Sequence, residues 1–175
     1  MTREEFATLA VGYLPDVTAY ARRLTRSRSD ADDLVQDTYD RAFGHWRELR
    51  DLRSCRGWLF RIARNLLTDH ARSVAARSEL WLVAGTDSSE LQPMVSAETV
   101  ERLDARQLEA ALAQLADEQR EAVLLCDLWG FAYGEIAEIM GCPLGTVQSR
   151  IARGRATLVA LLAGETAAHG RRRGS

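Results

Sequence analysis

The chain has 175 residues, 46% of them apolar and 27% charged, a composition that suits one medium globular domain or two small ones. No apolar run approaches the roughly 20 residues that span a bilayer, and the start, Met1-Thr2-Arg3-Glu4-Glu5, puts acids where a secretory signal puts bases, so a cytoplasmic location is expected. The formal net charge of -2 gives no global attraction to nucleic acid, so any such function must come from local segregation of charge.

From Phe6 to Leu24 the apolar residues Phe6, Leu9, Tyr13, Val17, Tyr20, Ala21 and Leu24 recur at steps of three and four, which predicts an amphipathic helix. Pro15 lies inside the pattern and predicts a kink or a split into two short helices. Ser29-Asp30 offers an N-cap for the next helix, which Leu34, Thr38, Ala42 and Trp46 carry to about Trp46.

Within that helix runs Asp30-Ala31-Asp32-Asp33-Leu34-Val35-Gln36-Asp37-Thr38. It presents Asp33, Gln36 and Asp37 on adjoining turns beside Leu34 and Val35, a mixed surface suited to another protein's helices, although a solvated acidic face fits the same spacing. Asp32, Asp33 and Asp37 also resemble the aspartate-rich magnesium motif of isoprenoid synthases. Against that enzyme, the spacing is one residue too long, no second motif follows, and the chain is too short to enclose a prenyl substrate.

The stretch from Arg47 to Arg56 loses periodicity and reads as a loop, after which Trp58-Leu59-Phe60-Arg61-Ile62-Ala63-Arg64-Asn65-Leu66 opens another helix buried along Leu59, Ile62, Ala63 and Leu66. Arginines alternate here with aromatic and apolar residues, which suits an unpaired strand by pairing phosphates and stacking bases. Trp58 has two readings, a stacking ring and a core ring.

Between about Ser78 and Ala97 the text turns to Gly, Thr, Ser, Asp and Pro and sustains no period, as an interdomain linker does. Leu103, Leu108, Ala111, Leu112 and Leu115 then predict one helix, and Asp117 is the expected cap of a second running to about Leu128. Glu135 to Met140 reads as a short helix that Gly141 closes in the left-handed conformation, with Pro143 preventing continuation. The last helix, from Gly145 to Leu158, has Val147, Ile151 and Leu158 on its apolar side and Gln148, Ser149, Ala152, Arg153 and Arg155 largely on the other.

Charge switches sign there: positions 108–149 hold seven acids and one arginine, and Arg150, Arg153 and Arg155 follow within six residues. Helix, glycine-containing turn and polar, arginine-rich helix is the pattern of a helix-turn-helix that enters the major groove. Glutamine pairs with adenine, arginine with guanine, serine with either, an alanine methyl touches thymine, and other arginines hold phosphates. The tail Arg171-Arg172-Arg173-Gly174-Ser175 is expected to be disordered.

Cys55, Cys126 and Cys142 are odd in number and far apart, unlike a disulfide framework, and His45, His70 and His169 are equally scattered, so no metal site or cofactor is expected. Every basic residue is arginine, a bias that codon usage in a GC-rich genome explains.

The segments 115–125, 133–139 and 141–150 resemble region four of the extracytoplasmic-function sigma factors of bacterial RNA polymerase. Asp30 to Thr38 and Trp58 to Asn65 resemble region two of the same family, so the likeness spans nearly the whole chain. One departure is Ala132, where the family has a Ser or Thr cap and Glu135 completes the capping box, a loss worth about 1 kcal/mol.

The resemblance implies an all-α protein of two helical domains joined by a flexible linker: region two at 1–77, linker at 78–100, region four at 101–164 and a disordered basic tail at 165–175. It implies no catalysis, no small-molecule substrate, and three partners: core RNA polymerase (the beta-prime clamp and the beta flap), promoter DNA and an anti-sigma factor. Asp32, Asp33, Leu34, Val35, Gln36 and Asp37 would bind polymerase. Arg56, Trp58, Arg61, Arg64 and Asn65 would hold the opened minus-ten element, and Thr146, Gln148, Ser149, Arg150, Ala152, Arg153 and Arg155 would read the minus-thirty-five duplex. The alternative is a helix-turn-helix regulator that binds DNA independently of polymerase.

Overall fold

The computed structural model describes residues 2–25, 27–49, 51–78 and 105–172, and every regular element among the described residues is helical. The chain divides into two compact units, one built on the helices up to Ser78 and taking in Glu138–Gly141, the other on the remaining residues from Ala105 onward.

In the N-terminal unit the first apolar stretch is two helices, α1 (Arg3–Gly12) and α2 (Leu14–Leu24). Pro15 sits in the first turn of α2, where a missing backbone donor costs nothing, so the chain breaks cleanly at Tyr13 rather than kinking. Helix α1 opens on a reciprocal box in which the Glu5 amide donates to Thr2 Oγ1 at 3.2 Å and the Thr2 amide to Glu5 Oε2 at 2.7 Å.

Helix α3 (Arg28–His45) is capped by Ser27, whose Oγ accepts the Asp30 amide at 3.1 Å. The cap therefore lies two residues before the expected Ser29: Ser27 has the extended backbone a cap requires, whereas Ser29 is already helical. The segment expected as a plain loop carries two short 3-10 turns, Trp46–Glu48 and Leu52–Ser54, and α4 (Cys55–Ser78) begins before Trp58.

The core of this unit is aromatic. Phe6 meets Phe43 edge-on at 5.4 Å and Trp58 at 6.0 Å, and Tyr20 packs on Phe60 at 4.9 Å. Leu59 and Ala63 are buried as their spacing predicts, while Ile62 and Leu66 are half-buried. The Tyr39 hydroxyl donates to the Ala10 carbonyl at 2.7 Å, and burial, with Cys55 and Asp16 nearby, pushes its pKa up to about 12. Burial likewise pushes the Cys55 thiol up to about 11, as suits a core residue rather than a nucleophile.

The linker expected over 78–100 lies, past Ser78, outside the described residues. The C-terminal unit starts with α5 (Ala105–Ala113) and α6 (Asp117–Val123). Asp117 is the first residue of α6 rather than its cap: Ala116 holds the cap position, and the Asp117 carboxylate accepts Arg120 Nη2 at 2.8 Å instead. Helix α6 widens into a turn over Leu124–Leu128, where the Trp129 amide donates to the Leu124 carbonyl at 3.2 Å.

Two glycines in the left-handed conformation then close helices. Gly130 (φ 67°) lets the Phe131 amide reach back to the Leu125 carbonyl at 3.0 Å, and Gly141 (φ 59°) lets the Cys142 amide reach the Ala137 carbonyl at 3.1 Å. Between them lies α7 (Tyr133–Met140). With Ala132 at its start, half the capping box survives, since Glu135 Oε2 accepts the Ala132 amide at 2.8 Å.

Helix α8 (Leu144–Arg172) is longer than its apolar pattern predicts, and its backbone is helical to Arg172, within the segment expected as a disordered tail at 165–175. Helix α8 crosses α6 at Gly154, where an added Cβ would lie 2.7 Å from Val123 Cγ2 and 3.3 Å from the Gln119 carbonyl oxygen. The absence of a side chain there sets how closely the long helix approaches α6.

Candidate nucleic-acid interface

Helices α7 and α8 with their glycine turn form the helix-turn-helix. Ile136, Ile139 and Met140 of α7 and Val147 and Ile151 of α8 are buried, which fixes the rotation of α8. With Val147, Ile151 and Gly154 inward, Gln148, Ala152 and Arg153 are exposed, and Thr146 and Ser149 are half-buried. Gln148 and Ala152 share one line, and Ser149 and Arg153 the next, the density of polar groups that base-edge reading requires. Ser149 Oγ donates to the Thr146 carbonyl at 2.9 Å, leaving its lone pairs for an outside donor.

Arg150 and Arg155, in the same half of α8, are engaged within the protein. Arg150, only 18% exposed, pairs through Nη2 with Glu118 of α6, and its Nη1 lies 3.3 Å from Cys142 Sγ. Arg155 makes a two-pronged pair with Asp127: Nε donates to Oδ2 at 3.1 Å and Nη2 to Oδ1, while Nη2 is also 3.4 Å from Cys126 Sγ. That hydrogen bond holds the Asp127 carboxyl below its ordinary pKa and keeps Arg155 charged. Burial, with the neighbouring Asp127 charge, raises the Cys126 thiol. Arg150 and Arg155, both expected at the minus-thirty-five duplex, are thus each paired with a carboxylate far away in sequence.

In the N-terminal unit, Asp32, Asp33, Gln36 and Asp37 are exposed on α3. Asp32 has a loose pair with Arg28 at 4.0 Å; Asp33 and Asp37 have no ion-pair partner among the described residues. Leu34, expected on this surface, is 8% exposed and packs with Ala21 and Ala31, with Val35, Leu66 and Leu67 against the cluster. A helix turns about 100° per residue, so a contiguous stretch cannot all face one partner, and the apolar members face the core.

Helix α4 divides its expected DNA residues in the same way. Arg61 and Asn65 are exposed one turn apart, and Arg64 is half-buried. Trp58 is corrected to a core ring, 9% exposed and edge-on to Phe6. Arg56 is fastened to α2, with Nε donating to Asp16 Oδ2 at 3.0 Å and its guanidinium 5.8 Å from the Phe60 ring. Trp46 is half-buried and capped by the Arg47 guanidinium at 5.3 Å, leaving part of an aromatic surface open in this segment. Among the described residues no three His, Cys, Asp or Glu side chains converge as a metal site, and no helix is long and apolar enough to cross a membrane.

Residues 9–77 match the family described as Sigma-70 region 2, and residues 105–158 that described as Sigma-70, region 4. A Mycobacterium tuberculosis protein, ECF RNA polymerase sigma factor SigC, is 35% identical over 152 residues, covering 86% of this chain and 74% of the relative. The chain belongs to the extracytoplasmic-function sigma factors. EcfG of Rhodopseudomonas palustris, another such factor, is 36% identical over 151 residues, covering 85% of this chain and 80% of the relative. Among solved structures, the sigma factor RpoE of Bartonella quintana, in complex with the anti-sigma factor NepR, matches with a TM-score of 0.79 at 31% identity, covering 91% of this chain and 98% of that one.

In this sigma factor, several residues that shape the two surfaces carry no linear signature. Glu118 and Asp127 meet arginines that lie 32 and 28 positions away, and Gly154 acts through an approach of two helices. Only Gly130 had a readable signal, a glycine directly after an apolar helical run, as at Gly141.

Proposed function

We propose that this sigma factor binds core RNA polymerase and directs initiation at promoters carrying a minus-ten and a minus-thirty-five element. The observation that carries the proposal is that one chain combines an outward acidic face on α3 with a helix-turn-helix whose outward residues are Gln148, Ala152 and Arg153. The first suits docking on the basic surface of a larger protein, and the second suits duplex reading.

In this reading Asp32, Asp33, Gln36 and Asp37 dock on the beta-prime clamp, with Leu34 and Val35 setting the pitch of the helix beneath them. Arg61, Arg64 and Asn65 hold the opened minus-ten strand, with Trp46 offering the stacking ring that Trp58 cannot. Thr146, Gln148, Ser149, Ala152 and Arg153 read the upstream duplex, and Arg150 and Arg155 flank it. Region two occupies 1–77, the linker 78–100 and region four 101–164, with the beta flap as a second polymerase contact. The protein acts in the cytoplasm and has no catalytic residues of its own; polymerase supplies the chemistry. An anti-sigma factor is its expected inhibitor, a role supported by the likeness to RpoE in its complex with NepR.

Run-off transcription on a library of genomic promoters tests the proposal. Core enzyme plus this protein is expected to initiate at a discrete set sharing an upstream element. Initiation nowhere, with the protein alone still footprinting DNA, would instead identify a regulator that works without joining polymerase.

A further inference from the structure

Arg150, Arg153 and Arg155, in the first half of α8, differ in what holds them. Arg153 is exposed and has no ion-pair partner among the described residues. Arg150 is 18% exposed and wedged between Glu118 and Cys142, which makes its pair a tether of α8 to α6. Arg155 is different again: its side chain is 47% exposed and that of Asp127 45%, yet two of its N–H groups are spent on that carboxylate. Arg155 alone among them is both neutralised and open to exchange.

We infer that Asp127 is an internal stand-in for a DNA phosphate: it occupies Arg155 in the free protein and keeps the helix-turn-helix from gripping duplexes whose bases it does not match. This rests on the duplex-reading role proposed above and deepens it. A carboxylate presents two oxygens to the guanidinium fork much as a phosphate does. Exchanging one for the other leaves the number of ion pairs on Arg155 unchanged and strands Asp127 beside the DNA backbone, so Arg155 adds little to sequence-independent binding. Base contacts by Gln148, Ala152 and Arg153 must then supply the difference, which weights recognition toward sequence. The hydrogen bond that depresses the Asp127 pKa keeps it anionic at neutral pH, so the competitor is always present.

The test measures binding of the full-length protein to a labelled random-sequence duplex by fluorescence anisotropy across a salt series. Asp127→Asn is expected to bind more tightly than the unsubstituted protein, with a salt slope steeper by about one, because a phosphate contact has been gained. That advantage should shrink about threefold as salt rises from about 50 to about 200 mM. Arg155→Ala should leave the slope nearly unchanged, and in its background Asp127→Asn should no longer steepen it. The same steepening in the Arg155→Ala background would overturn the inference, since it would reflect only removal of a negative charge. Unchanged affinity of Asp127→Asn for the random duplex, with Arg153→Ala still weakening binding to a duplex that carries the upstream element shared by the run-off promoters, would also overturn it while sparing the duplex-reading role. If Arg153→Ala leaves binding to that element-bearing duplex unchanged, the duplex-reading role falls, and the inference with it.

Discussion

On α3 the carboxylates of Asp33 and Asp37 face outward with no ion-pair partner among the described residues, whereas of the three arginines between Gly145 and Leu158 of α8 two are already neutralised by Glu118 and Asp127. An unpaired acidic face keeps its full field for an outside partner and costs the fold only mild self-repulsion. A pre-neutralised basic face gives up indiscriminate attraction to phosphate and leaves recognition to a few exposed side chains. The formal net charge of -2 hides this contrast, because it sums opposite charges that stand on different faces.

The largest expected effect tests the split within the α3 stretch. Leu34→Ala should destabilise the N-terminal unit by about 2–5 kcal/mol, because it empties a core position. Asp37→Asn should change stability by less than about 0.5 kcal/mol, yet weaken polymerase binding. Chemical denaturation paired with a core-polymerase pull-down separates the two, and equal stability losses would erase the distinction between core and docking residues.

In the C-terminal unit, Gly154→Ala should cost about 1–3 kcal/mol by overpacking, although alanine is the better helix former. A raised denaturation midpoint would mean that α8 can move away from α6. Arg153→Ala should cost about 1–3 kcal/mol of discrimination at one base pair, read by comparing matched and mismatched duplexes; equal loss on all sequences would make Arg153 a phosphate contact.

The smallest effect expected is alkaline. The folded Tyr39 keeps its proton up to about 12, whereas an unfolded tyrosine loses it near 10. Its contribution is therefore complete below pH about 10 and is lost as pH rises through about 12. Tyr39→Phe should flatten that loss in a circular-dichroism titration.

Much of the fold was legible because it rests on local rules. The cut at Tyr13, the closure at Gly141 and the inward Val147 and Ile151 all follow from spacing and from what proline and glycine allow. Caps were less legible, as Ser27 and Ser29 differ only in backbone conformation. The site residues divided along a physical line. Resemblance transfers a stretch as a block, but a helix rotates its members to opposite sides, so Leu34 and Trp58 went to the core while Asp33, Asp37, Arg61 and Asn65 stayed outside. The partners of Arg56, Arg150 and Arg155 lie 28 to 40 positions away, and only the packing of helices brings them together.

The division of labour between the two surfaces is tested most directly by measuring duplex binding and run-off transcription on the same variants. The double substitution Asp33→Asn, Asp37→Asn should leave binding of the protein alone to duplex DNA intact and abolish transcription with core enzyme, while Arg153→Ala should impair both. Full transcription from the double variant would contradict the assignment of the acidic face to polymerase.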